Sequence, residues 1–425
     1  ADGTIAIGYQ AGKSITSGQK NTIIGYNAGD ALQTGDSATI IGYEAGTALT
    51  TSGEQGTTLI GKDAGKALTT GPYNTAIGRA ALKTATTTNS CIAIGDSAMQ
   101  YTPASTAVIG VIGIGGSALG DATGLDTTAN YSIAMGNGAG NNAGNLAGEF
   151  VIIGNYAGLK LNGTGVTHIG YEAGRYASGS YNTFVGEDAG KGGTTSAPFS
   201  TGTSNTAVGR QALGGFTTGG SNVAIGNVAG NSVSTGIENV YIGATAGYNA
   251  AGDNSYAVVI GSYAGYQNNN GSVVYIGRYA GYAGSGAIGG GNIGIGYQAL
   301  FTNRSTDETG MKWNIAIGRG AMSNTTDTLG AAHSNVAIGY LALKNIQSGS
   351  RNVAIGGQQG GGDGGTGEFL KNGGDNVFVG SKAGYGIDSG NIHSDKNVFI
   401  GANAGGAQNG VDGNVGIGYK ALVFA

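Results

Sequence analysis

Two short words in this chain have the residue types of a phosphate-binding loop. GIGGSA at 113–118 and GIGYQA at 294–299 match G-x-G-x-x-A. Such glycines let a backbone approach a pyrophosphate when a strand precedes them, a helix follows and an acidic residue lies about 20 positions on. No helical period follows either word, so no dinucleotide site is expected. GGQQGGGDGG at 356–365 has the composition of a calcium-binding nonapeptide, but the full word is absent and does not recur, and a loop is expected there. His168, His333 and His393 are far apart, whereas a metal needs three or four converging ligands. His168 sits at a tolerant strand position, where an exposed side chain is expected; in a trimer it could meet two copies of itself. Glu187 and Asp188 are neighbouring carboxylates, the groups of glycosidase chemistry, but such pairs are common on rod surfaces. No nucleophile word such as G-x-S-x-G is present. We therefore assign no catalytic, cofactor or metal residue and expect a non-enzymatic protein.

Aromatic residues are the better candidates for recognition. Nine tyrosines fall between 241 and 297, and Tyr263, Tyr266, Tyr279 and Tyr282 are the ones singled out. Stacked on one another they would stabilise the fold; presented outward, their faces would pack on sugars. Trp313, in DETGMKWN at 307–314, and Phe369, in EFLKNGGDN at 368–376, lie in two of the longer connecting segments (187–205, 297–314, 319–335, 357–376 and 381–397). Loops on a rigid scaffold are where binding usually sits.

What positions them is a repeat. Aligned on the glycine of "IG", the chain carries 23 copies, with anchors from Gly8, Gly25 and Gly42 through Gly226 to Gly418, most often 17 residues apart. The residue before the anchor is Ile, Val or Met in every copy, and the residue three before it is Ile, Val or Thr. The residue between them varies freely. A period of two with β-branched residues predicts a short strand with one fixed and one free face. Asn precedes the strand in 13 copies, where it can turn the chain or stack as a side-chain ladder. Three residues after the anchor stands Ala, with Gln359 the one exception. We expect Ile24, Ala28, Ile225 and Ala229 in the core. The anchors Gly25 and Gly226 are expected to take a conformation closed to other residues or to permit a close approach.

Composition agrees with an ordered, unusual chain. Of 425 residues 89 are Gly and only 3 Pro, and 10% are charged; collagen would need Gly at every third position and abundant Pro. Net charge is −4 and no Lys/Arg run exists, which argues against nucleic acid. One cysteine, Cys91, excludes a disulfide framework. No apolar run reaches the ~18 residues that span a membrane, so no membrane insertion is expected, and a secretion signal is expected to be absent or already removed.

A strand this short buries nothing alone, but stacked copies do. We predict an all-β fold: a parallel β-roll or β-helix solenoid of about 23 short coils, a single domain over 1–425, in an intertwined or side-by-side homotrimer. At ~4.8 Å per coil the rod would be about 105 Å long. A monomeric left-handed β-helix is the competing architecture, but it needs about three hexapeptides per turn, and one per coil is recognisable.

The pattern N-[VT]-A-I-G-x-x-A, as at 222–229, 335–342 and 352–356, resembles the head repeats of trimeric autotransporter adhesins and the repeats of bacteriophage tail fibres. The chain lacks the heptads of an adhesin stalk and a membrane anchor, which favours the fibre or a fragment of a longer protein. The resemblance implies a rigid trimeric rod, on a virion or at a cell surface, that binds a glycan or protein receptor. Neither end carries a polar cap, so a filament of subunits stacked end to end is the second expectation. A polysaccharide-degrading tailspike is the third.

Overall fold

The computed structural model describes residues 2–51, 56–102, 108–121, 129–141, 148–249, 254–267, 271–283, 289–302, 304–305, 311–323, 326–327, 332–357, 364–386, 394–406, 410 and 412–423. It comprises two compact units, Ala1–Thr218 and Gly219–Ala425, both built from the same coil. The fold is all-β, a parallel solenoid with one short strand in each of the 23 repeats; no helix occurs among the described residues. In the first unit Thr22–Ile24 pairs in parallel with Thr39–Ile41, with Thr22 beside Thr39 and Ile24 beside Ile41. In the second, Val240–Ile242 pairs in the same way with Val258–Ile260. The repeat rules therefore superpose as straight columns of like residues.

The faces of the strand are the reverse of those expected. The variable middle residue points inward: Ile23, Ala76, His168, Tyr241, Tyr275 and Phe399 are all buried. The invariant β-branched residues point outward. Ile24 is half-buried, and Ile225 is 40% exposed. Within the single chain, Ala28 and Ala229 lie in the core and Ile24 and Ile225 do not.

The middle residue can vary because a second position compensates. Four residues after every anchor except Gly356, whose corresponding residue lies outside the described residues, the chain is left-handed, with φ 53° at Gly29, 62° at Gly281, 54° at Leu82 and 50° at Met99. Its side chain, where there is one, faces the middle strand residue. Where the middle residue is large, as Ile23, Phe184, Tyr241 or Tyr275, this position is Gly. Where it is small, as Ala76, Ala93, Gly113 or Gly294, it is mostly Leu or Met, though Gly12, Gly140 and Gly230 follow Ala6, Ala134 and Ala224. A methyl on Gly247 would lie 2.1 Å from Tyr241 Cδ1, while a methyl on Gly294 would touch Leu300 Cδ1 at 3.2 Å. The two residues share one volume, as close packing requires.

The anchor glycine meets both expectations at once. Gly25 has φ 137°, and a Cβ there would lie 2.3 Å from the carbonyl oxygen of Gly42 in the next coil. The corner alanines, Ala28, Ala45 and Ala64 among them, are fully buried. In the coil of Gly356 the corner is not Gln359, which lies outside the described residues. Thr366 takes the place, since its carbonyl accepts the Leu343 N–H (3.0 Å). The insertion falls between strand and corner, which defeats any fixed spacing.

The asparagines do form a ladder. Asn335 Nδ2 donates to Asn314 Oδ1 (3.1 Å) and to the Gly349 carbonyl (2.9 Å). Asn352, Asn376, Asn397 and Asn414 continue the series, each donating to the Oδ1 of the one before. Thr57 and Cys91 stand in the same column; the Cys91 N–H donates to Asn74 Oδ1 (3.0 Å), and burial raises its thiol pKa.

Candidate recognition surface

The outward positions two and five after the anchor lie side by side and repeat from coil to coil. In the first unit they carry ion pairs. Glu172 accepts from Arg175 and from Lys191 (2.6 Å), and Lys191 also reaches Asp188 (3.1 Å). Burial alone would raise the Glu172 carboxyl, but the bond from Lys191 brings it below its usual value. Lys66 bridges Glu44 and Asp63 in the same manner.

In the second unit the same two columns carry aromatic rings, and there the structure brings together all four tyrosines expected from sequence. Tyr266 stacks on Tyr248 (5.7 Å between centroids) and on Tyr282 (5.1 Å), which stacks in turn on Phe301 (5.1 Å). Tyr263 stacks on Tyr279 (5.3 Å), whose ring meets Tyr282 edge-on (5.6 Å). Arg278 lies 4.8 Å from the Tyr279 centroid. Burial, and then Tyr266 beside it, raise the Tyr282 phenol pKa. Such a ladder stabilises the stack. Tyr266 and Tyr282 have neighbours on both faces, so a ligand meets their edges and hydroxyls. Tyr241 and Tyr275 of the same run are core residues instead.

Trp313 does not project from an insertion. It occupies the regular turn directly before the buried Asn314, with φ 55°, and is 64% exposed. Tyr73, Tyr131, Tyr181 and Tyr256 occupy the same position, five residues before their anchors, with φ between 60° and 63°. All are exposed, Tyr131 by 70% and Tyr181 by 66%. Three of these rings, Tyr131, Tyr181 and Trp313, lie over the glycine at the same place in the preceding coil. A Cβ on Gly110 would be 2.8 Å from Tyr131 Cδ1, one on Gly165 2.8 Å from Tyr181 Cδ1, and one on Gly291 2.4 Å from Trp313 Cδ1. Sequence reasoning singled out Trp313 by its rarity and passed over the row of tyrosines at the same position. The signal was their shared offset from the anchor glycine.

The other candidates have structural places. Phe369 is half-buried, edge-on to Tyr385 (5.1 Å). His168 is neither exposed nor free to meet a copy of itself. It is fully buried, stacks on Phe184 (4.9 Å), and burial pushes its pKa down to about 3. His333 is half-buried, and His393 lies outside the described residues. Glu187 pairs with Arg210 (3.7 Å) and Asp188 with Lys191 (3.1 Å), so the two carboxylates have separate partners. Gly115 and Gly296 of the phosphate-loop words are anchor glycines, and 358–363 of the calcium-like word lie outside the described residues. No group of three potential metal ligands occurs among the described residues. The long return after Gly186 holds a groove of about 440 Å3 against Lys160, Ser178 and Phe199.

No protein-family model matches this chain, and no curated protein sequence matches it.

Proposed function

We propose that this protein is a structural fibre or adhesin, a trimeric rod that presents binding residues to a cell surface, as the resemblance to tail fibres and adhesin heads implies. One observation carries the reading. The outer face of the sheet is two columns of Ile, Val and Thr left uncovered in the single chain, with Ile225, Ile276, Ile355 and Ile400 each exposed by more than a third. Contiguous exposed apolar surface of this kind marks an interaction site. Packing the column directly before the anchors, which holds these four residues, against other copies of itself, in the same direction, covers every coil alike and leaves the column three before the anchors at the rim. The resemblance sets the copy number at three, and three copies raise avidity for a repeated receptor. Static light scattering tests it: three times the 41.6 kDa chain mass is expected. A monomer overturns the reading, a dimer overturns the copy number, and a mass that grows with concentration points to an end-to-end filament.

A further inference from the structure

The row of unstacked aromatic rings has a regular step. In the first unit, Tyr73, Tyr131 and Tyr181 belong to the coils of Gly78, Gly136 and Gly186, and two coils lie between each pair of neighbours. In the second unit, Tyr256 and Trp313 belong to the coils of Gly261 and Gly318, again with two coils between. At the strand spacing of a parallel sheet, three coils advance about 14 Å. The same position in the coil after each ring carries Ser90, Glu149, Ser204, Ser272 or Ser334, so a short polar residue follows each ring. This is the opposite of the Tyr266–Tyr282 ladder, whose faces are taken up by one another.

A groove fills the interval between two of these rings. It measures about 310 Å3 and is bounded by Tyr131 at one end and by Gly165, under the Tyr181 ring, at the other. Its floor is Val151 and Thr167, outward residues of two successive strands, with the exposed Glu149 beside them. A volume of this size lies at the lower end of small-molecule sites. Between Tyr131 and Tyr181 the surface thus sets a shallow cell of mixed polarity, with the Glu149 carboxylate beside it, between two aromatic plates.

We propose that this row is a binding track for an extended neutral glycan lying along the stack of coils. The reading deepens the proposed surface-binding function, and its chemistry resides in one chain. A pyranose has an apolar C–H face and a rim of hydroxyls. Its C–H bonds carry small positive charges that suit the negative face of an aromatic ring, and its hydroxyls donate to Glu149 and Thr167. An extended pyranose chain advances by nearly the same step per sugar as the solenoid does per coil, so every third sugar meets a ring. Glu149 repels an acidic polymer and favours a neutral one. Several weak plates on one polymer act together through effective concentration.

The single tryptophan makes the test direct. The full chain is titrated with cellohexaose, chitohexaose, laminarihexaose and maltohexaose while Trp313 fluorescence is followed, and its retention in gels containing the matching polymers is measured. At least one neutral sugar is expected to shift the Trp313 emission and to retain the protein. Tyr131→Ala/Tyr181→Ala is expected to weaken retention at least tenfold, while Tyr9→Ala/Tyr26→Ala, in a stacked column elsewhere on the coil, leaves it unchanged. No response to any of the four sugars overturns the proposal, as does equal loss in both double variants. Light scattering on the same samples reports the trimer separately: a monomer that still binds glycan sinks the assembly and keeps the track.

Discussion

Tyr275 and Gly281 occupy a single volume: a Cβ on Gly281 would lie 2.4 Å from Tyr275 Cδ2. They stand six positions apart in the chain, and a change at one is felt at the other. Tyr275→Ala leaves a cavity and is expected to cost about 3–5 kcal/mol. Gly281→Leu overpacks the same space, at a cost of about 1–3 kcal/mol or more. The double variant Tyr275→Ala/Gly281→Leu recreates the pair found at Ala76 and Leu82 and is expected to recover most of the loss. Thermal melts of the three variants check this; a double variant no better than the sum of the singles would falsify the shared-volume account.

The asparagine ladder predicts a graded series. Asn352 Oδ1 accepts from the Asn376 N–H (3.1 Å) and Asn376 Nδ2 (2.9 Å), and Asn352 Nδ2 donates to the Gly373 carbonyl (2.8 Å). Asn352→Ala leaves buried partners unpaired and is expected to cost on the order of 3 kcal/mol. Asn352→Thr should cost less, because Thr57 holds the same place by donating to the Gly71 carbonyl (2.8 Å). Denaturant midpoints rank the two, and equal losses would contradict the ladder's role.

His168 predicts a pH dependence. Both of its ring nitrogens are buried without a partner, and its pKa falls from 6.5 to about 3 on folding. The unfolded chain therefore takes up a proton at a higher pH than the folded one. The histidine's contribution is intact above pH 6.5 and is lost as pH falls towards about 3, at about 1.4 kcal/mol per unit. His168→Phe, the residue type at Phe184 and Phe399, should flatten that part of the stability profile. An unchanged slope in the variant would show that other groups govern it.

The outer face predicts a change of mass without loss of fold. Ile276→Lys adds a charge to a side chain already exposed by 36% and leaves the coil's own core untouched. Circular dichroism should keep its β signature while light scattering reports a smaller particle. A variant that keeps the parent's mass would argue that the face is not the contact between copies.

The constraints that act on one residue at a time were legible in the sequence. The anchor glycine, the corner alanine and the asparagine column each repeat because one backbone or side-chain geometry favours one residue type there. The direction of the strand was not legible, because invariance at Ile24 and freedom at Ile23 read as buried and exposed. The freedom is real but belongs to the pair of positions, and a column read alone hides it. Gln359 misled for a different reason, an insertion ahead of the corner that passed the role to Thr366. Among the candidate recognition residues, Trp313 and the tyrosine ladder were visible by composition. Tyr131 and Tyr181 were not, being single residues scattered at three-coil intervals.

Within each unit the hydrogen bonds between coils, backbone and asparagine alike, run along the direction of stacking. Tension along that direction loads them one after another rather than side by side. An end coil therefore peels away while its neighbours hold, and each release of a 17-residue coil feeds out about 55 Å of chain. A particle tethered through such a stack would be braked by stepwise yielding before anything snapped.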